Sequence, residues 1–282
     1  MNKVKIPDDE IIVKHYKRFR QYSQSEDWIK WYTRVAKFKG TRTSQILLEH
    51  KKSNAKLLDV GSGLGLTFAY VCQKFENSIA CEVDAESAKA TCELLEALGL
   101  KRKVIKYNGK KLPFPDNAFD IVTSIEVIEH ADNAKQMLSE IARVLKPDGI
   151  LHITTANKWW PYEPHFKLFF LSYLPAKWAD RYVRLSGRGK SYENIRLPSY
   201  DSFLKMVSQY FVVNDITLEI IKRYKKYKFD KERGRKVVYV GEFLKLLDKF
   251  QKLPLLGFLV DLVYWILIRI SLGWLFIAKV KK

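Results

Sequence analysis

Cysteine is scarce: the 282 residues contain three, Cys72, Cys81 and Cys92. An odd number without metal-ligand spacing argues against a disulfide framework and fits reduced thiols in a cytosolic setting. No role follows for them. The opening stretch, MNKVKIPDDE, lacks an apolar run of signal-peptide length, so export is not expected. No repeat or low-complexity segment argues for a solenoid or for disorder. Acidic residues are in deficit, 31 against 50 Lys and Arg, leaving a net charge of +19. Such a field draws a protein toward polyanions, either nucleic acid or an anionic membrane surface, and sign alone does not choose between them.

What is present can build a full core, since 47% of the residues are hydrophobic and 13% aromatic. The length suits one large α/β domain with appendages. Residues 8 to 50 read as helices, with Trp28, Trp31, Tyr32, Val35 and Phe38 near helical spacing, which gives a helical cap over 1–50. An apolar strand, Lys56 to Val60, then ends abruptly in Gly61-Ser62-Gly63-Leu64-Gly65. Helical and strand patterns alternate from there. Strands are expected at 78–83, 103–107, 119–125 and 150–154, and helices through Ala69 to Phe75, at 85–98 and at about 133–145. That βαβ alternation implies a parallel sheet. After Asn157 it breaks, and it returns with a helix at 200–207 and a strand at 211–217 that can complete the sheet. The main domain is therefore set at 51–220, with an insertion at 157–195, and a basic segment and hydrophobic tail at 221–282.

A glycine-rich turn between strand and helix lets backbone approach a ligand closely. Alone, it equally begins a nicotinamide-binding fold or forms a tight connection. The elements after it are more specific. Glu82 ends the second strand, where a carboxylate can accept both hydroxyl protons of a ribose. Asn108-Gly109 ends the third, where a polar side chain and an exposed N–H can read an adenine edge. The turn LPFPDNAFD, residues 112 to 120, feeds the fourth strand, and Glu126-Val127-Ile128-Glu129-His130 follows it.

This succession resembles the class I S-adenosylmethionine-dependent methyltransferases, over about a hundred residues, from 55 to 156. The resemblance implies a Rossmann-like three-layer sandwich with a seven-stranded, mostly parallel sheet. It implies that Gly61, Gly63 and Gly65 cradle the cofactor's amino-acid end, with Asp59 near its ammonium group and Glu126 also on the cofactor side. Glu82 would bind ribose, Val83 would flank adenine, and Asn108 and Gly109 would contact its edge. Methyl transfer is an in-line displacement that mainly requires alignment and exclusion of water, although an acceptor hydroxyl also needs a base.

His130 is the first candidate base, because it follows the fourth strand on the ligand-bearing edge of such a sheet. Bonding to neighbouring backbone is the alternative. Glu126, Glu129 and His130 stand at i, i+3 and i+4, so on a helix they would share a side and hold a divalent cation. That arrangement is similar to metal-assisted ubiquinone-biosynthesis O-methyltransferases, which also have an Asn matching Asn157. Carboxylates capping a helix and paired with lysines are the reading favoured over metal. The stretch NKWWPYEPH, residues 157 to 165, resembles an insertion in methyltransferases of cell-surface glycan or glycolipid synthesis. There Glu163 and His165 would bind or deprotonate a hydroxyl. Trp159, Trp160 and Tyr162 would offer faces to a sugar ring or prenyl chain, or else simply pack the cap.

The run from Leu253 to Val280 has only Asp261, Arg269 and Lys279 as charges. Its length suffices to cross a hydrocarbon core of about 30 Å at about 1.5 Å per residue. Yet each of the first two charges would cost roughly 2.5 to 3.5 kcal/mol at the midplane, and Pro254, Gly257 and Gly273 interrupt a helix. Membrane-associating helices lying in plane or re-entrant are the expectation, with a true span and an unusually apolar core as alternatives. Nine Lys or Arg and two acids between Lys222 and Lys236 would support anionic lipid at about 1 kcal/mol each. The expected protein is thus an enzyme at the cytosolic membrane face that O-methylates a lipid-linked acceptor, a polyprenyl-linked sugar or a quinone precursor. RNA or protein methylation and a non-catalytic cofactor-binding scaffold are the other readings. Nucleic acid is disfavoured by the apolar tail and by SIEVIEH, which is not the Asn-or-Asp-Pro-Pro-aromatic motif of base-amino methyltransferases.

Overall fold

The computed structural model describes residues 9–17, 26–192, 195–251, 253 and 256–281. Two helices, α1 (Asp9–Tyr16) and α2 (Glu26–Leu48), come first. Then follow β1 (Leu57–Val60), α3 (Leu66–Cys72), β2 (Ser78–Glu82), α4 (Ala85–Ala97), β3 (Lys103–Lys106), β4 (Phe119–Ile125), α5 (Ala134–Val144) and β5 (Leu145–Ala156). The insertion holds the short strands β6 (Tyr162–Glu163) and β7 (Leu168–Phe169) and the helix α6 (Ala176–Leu185). The chain continues through α7 (Tyr200–Val207), β8 (Phe211–Asp215), α8 (Thr217–Lys222), α9 (Phe229–Arg233), α10 (Arg235–Gln251), α11 (Gly257–Arg269) and β9 (Gly273–Val280).

The main sheet has the order β3-β2-β1-β4-β5-β9-β8. Strands from β3 to β5 pair in parallel, and β9 runs antiparallel to both β5 and β8. Successive residues of a strand point to opposite faces, and here both faces are apolar. Leu57, Ile121 and Ile150 join the α1–α4 side of the core, whereas Leu58, Val122 and Leu151 join the side built by α5 and α7. Three layers result. The order reverses between β1 and β4, and the crevice outside their carboxyl ends is where such sheets take ligands.

The N-terminal cap packs on a face of the sheet as well as reaching its ligand edge. Tyr16 donates its hydroxyl proton to the Leu64 carbonyl at 2.8 Å, inside the glycine turn. Farther along, the buried Arg42 of α2 pairs with the buried carboxylate of Glu232 in α9 and lies over the Phe229 ring at 4.5 Å. The insertion has a small core of its own, made by Leu168, Leu171, Ala179 and Val183.

The hydrophobic tail departs most from expectation. Residues 273–280 are β9, an interior strand bonded on both edges, so the sheet extends beyond the boundary placed at 220. Trp274 and Phe276 stack on Phe203, and Ile277 packs with Ile46 and Ile220 on the other face. A strand covered on both faces is apolar along its covered length, which accounts for the stretch Trp274 to Ala278 of the run that resembles a membrane segment. The earlier part of the run holds α11, of 13 residues, and no described helix is long and apolar enough to cross a membrane. Pro254 lies outside the described residues.

Candidate active site

The glycine turn leaves β1 and enters α3 with Gly61, Gly63 and Gly65 all at positive φ, between 53° and 79°. Side chains at the first and last would strike Val127 and Thr91, while a Cβ at Gly63 would meet nothing. Glycine is thus required on the protein side, and Gly63 faces open space. Glu82 closes the turn. Its carboxylate accepts from the Gly63 N–H at 2.7 Å and the Val83 N–H at 2.7 Å. Val83 stays 48% exposed beside Gly109, an apolar surface for a flat ring next to a ribose-binding carboxylate. Asn108 turns its Oδ1 onto the Lys110 and Lys111 N–H groups, so its amide nitrogen is the part left for an adenine edge.

Asp59 lies buried at the end of β1 and accepts from the Thr123 hydroxyl at 2.5 Å. Burial pushes its pKa up to about 7, with the Glu82 charge adding to the effect. A buried carboxylate in this condition calls for a cation. The Ser62 hydroxyl, in the same turn, is buried without a hydrogen-bond partner. These features fit an S-adenosylmethionine molecule, whose ammonium would meet Asp59 and whose ribose would meet Glu82. The part of Ser62 was missed in the sequence, since one serine among glycines has no distinguishing pattern.

A second cluster surrounds the end of β4. Glu126 takes a left-handed conformation, φ 56°, and only residues 128–130 form a single 3₁₀ turn. The helical face expected to align Glu126, Glu129 and His130 therefore does not form, because the backbone turns at Glu126. Lys39 of α2 binds the Glu126 carboxylate at 2.5 Å. Desolvation notwithstanding, that ammonium holds the Glu126 pKa below its ordinary value. Lys39 had no signal in the sequence, being distant along the chain and one basic residue among many.

Glu129 is buried, accepts from the Thr155 hydroxyl at 3.0 Å through Oε2, and has no partner at Oε1. Burial and then the Glu126 charge push its pKa up to about 7. The insertion supplies the remaining groups. Glu163, fully buried, accepts from the Phe166 N–H at 2.7 Å and contacts His165 Nδ1 at 2.6 Å. Burial opposes charge on His165, but Glu163, followed by Glu129 and Glu126, overrides it and raises the pKa. The His165 and His130 rings meet edge to face at 5.0 Å.

All three candidate catalytic residues, His130, Glu163 and His165, thus come together, joined by Glu129. Ligand atoms of Glu129, His130 and His165 lie within 4.8 Å of one another, so a three-donor cluster exists, with His165 in the place expected for Glu126. Asn157 is not in it. The Asn157 side chain donates to the Arg269 and Ser271 carbonyls and accepts from the Trp159 N–H, which makes it a structural clamp. Trp159 and Tyr162 are exposed at 47% and 37%, with their edges against Tyr173 and Phe169.

Fold and site together define the class I S-adenosylmethionine-dependent methyltransferase architecture. Residues 58–153 match the family model described as methyltransferase domain. Ajmaline N-methyltransferase of Rauvolfia serpentina is 37% identical over 99 residues, which is 33% of this chain and 33% of that protein. The ubiquinone biosynthesis O-methyltransferase of Bartonella bacilliformis is 29% identical over 109 residues, 37% of this chain and 42% of that protein. The chain spans less than half the length of these curated relatives. Among solved structures, the YcgJ protein of Bacillus subtilis is alike in fold, with a TM-score of 0.50 at 18% identity over 86% of this chain and 98% of that one.

Proposed function

We propose that the protein transfers the methyl group of S-adenosylmethionine to a hydroxyl of a lipid-linked acceptor. The observation that carries this reading is the Glu163–His165 pair. A buried carboxylate bonded to one ring nitrogen fixes the imidazole and leaves the other nitrogen to take an acceptor proton. When bound, the cofactor supplies a methyl group on a positively charged sulfur. The chain's own residues then align and deprotonate: Asp59 and Glu82 fix the donor, His165 accepts the hydroxyl proton, and Glu163 stabilises the imidazolium. Held by Asp59 and Glu82, the cofactor would supply its methyl to the acceptor oxygen, the sulfur retaining the bonding electron pair.

A lipid-linked acceptor is supported by the insertion around this pair. Trp159, Tyr162, Phe169, Phe170, Tyr173 and Trp178 are large, exposed and close in sequence to Glu163 and His165. Such faces suit a sugar ring or a prenyl chain. The test is incubation of the purified protein with labelled cofactor and separated lipid fractions of its host. Label in a polyprenyl-linked sugar supports the reading. Label in a quinone precursor would redirect it to that acceptor, and label confined to RNA or protein would overturn it.

A further inference from the structure

Helices α10 and α11 form a hairpin whose outer faces carry no other element among the described residues, Trp265 being met by Arg269 of its own helix at 3.9 Å. On α10, Val237, Gly241 and Leu244 are buried against the body, and the opposite side presents Tyr239, Phe243 and Phe250. On α11, Val260 and Ile268 are buried, and Phe258, Leu262 and Trp265 point out, Phe258 at 76% and Trp265 at 55% exposure. A helix apolar on both sides serves two contacts, and only one is made among the described residues.

We infer that this hairpin lies in the plane of an anionic lipid leaflet, with its outer face in the acyl boundary. Charge selects this occupant. Lys231, Arg235, Lys236 and Lys249 are exposed beside or on the hairpin and make no ion pair among the described residues. Two of its acids are paired with lysines, Glu242 with Lys245 and Asp248 with Lys222, and Asp261 accepts from the Gln251 amide. A second copy would bring the same uncompensated basic cluster against itself, whereas anionic headgroups would neutralise it. Geometry selects the orientation. At 17 and 13 residues the helices are short for a crossing, and α11 returns directly into β9 of the central sheet, so the body stays on one side.

The far end of α11 also meets the insertion, since Asn157 donates to the Arg269 and Ser271 carbonyls. Docking would therefore bring the Glu163–His165 pair toward a lipid-linked acceptor, and only this purpose rests on the proposed function. Lipid binding is measured separately, by sedimenting the full chain with phosphatidylcholine vesicles with and without phosphatidylglycerol. Binding to the anionic vesicles, weakened by salt and reduced at least about tenfold by Phe243→Glu with Trp265→Glu, is the expected result. Unchanged S-adenosylmethionine affinity in that double variant shows that it folds. Absence of wild-type binding to anionic vesicles overturns the inference. So does a wild-type dimer, abolished by the same substitutions, in a protein that ignores vesicles. Vesicle binding without methyl transfer to any lipid would leave the docking surface standing and remove the acceptor reading.

Discussion

Asn157 holds the carbonyl of Arg269 at 2.8 Å, joining the first residue of the insertion to the last turn of α11. The same side chain donates to Ser271 and accepts from Trp159, and its burial leaves it no freedom to serve a ligand. Two segments far apart in sequence are thereby fixed as neighbours at the ligand-bearing end of β5.

The Glu163–His165 pair predicts a particular pH profile. His165 acts as a base only when neutral, and its pKa is raised, so activity should rise as pH climbs past a value above the ordinary histidine range. Glu163→Gln should move that limb to lower pH and reduce kcat, and His165→Ala should reduce kcat by about 10²- to 10⁴-fold. Rates across pH with a fixed acceptor check both. A profile unmoved by Glu163→Gln would remove His165 as the base.

Asp59 predicts that cofactor affinity depends on pH with the opposite consequence for stability. The free carboxyl titrates at about 7, and only its charged form meets an ammonium, so binding should tighten about tenfold from pH 6 to 8. The folded pKa lies above the unfolded one, so this group costs stability increasingly as pH rises from about 4 toward 7. Asp59→Asn should therefore melt at a higher temperature at pH 8, bind the cofactor more weakly, and lose the pH dependence. Calorimetric titration and thermal melts read these outcomes.

Divalent cations should not be required at neutral pH. Glu129, His130 and His165 must be deprotonated to ligate a cation, and Glu129 has a pKa near 7 while that of His165 is raised. Protons hold the site first. Activity after treatment with a chelator should be retained at pH 7, and manganese titrated into the protein should bind more tightly above that pH. A chelator that abolishes activity, restored by one cation, would assign the cluster to metal.

Deleting residues 271–282 should unfold the protein, where removal of a membrane anchor would release a soluble enzyme. Trp274 is buried, stacks on Phe203, and donates its indole proton to the Ile268 carbonyl at 2.7 Å. Trp274→Ala should cost about 3 to 5 kcal/mol, read by denaturant unfolding.

Alternation of strand and helix made the sheet from β1 to β5 legible, and the carboxylate at Glu82 sharpened an otherwise ambiguous glycine turn. Hydropathy failed at β9 for a physical reason. An interior strand covered on both faces and a lipid-facing helix are both continuous apolar runs, and the run 253–280 contains one segment of each length class. The register at Glu126 was hidden too, because a left-handed residue in place of a helical one changes every neighbour's direction. Lys39 and Glu163 reach the cluster only through tertiary packing, although the resemblance carried by NKWWPYEPH points to Glu163 and His165 as a pair.

The position of β9 also governs the order in which the molecule can be completed. It enters between β5 and β8, both earlier in the chain. Until residues 273–280 have emerged from the ribosome, β5 and β8 each lack the neighbour that occupies the space between them. A nascent chain would then present open strand edges together with the uncovered faces of α10 and α11, a combination that invites aggregation. Synthesis close to a lipid surface would cover those helices during that interval, before the final strand closes the sheet.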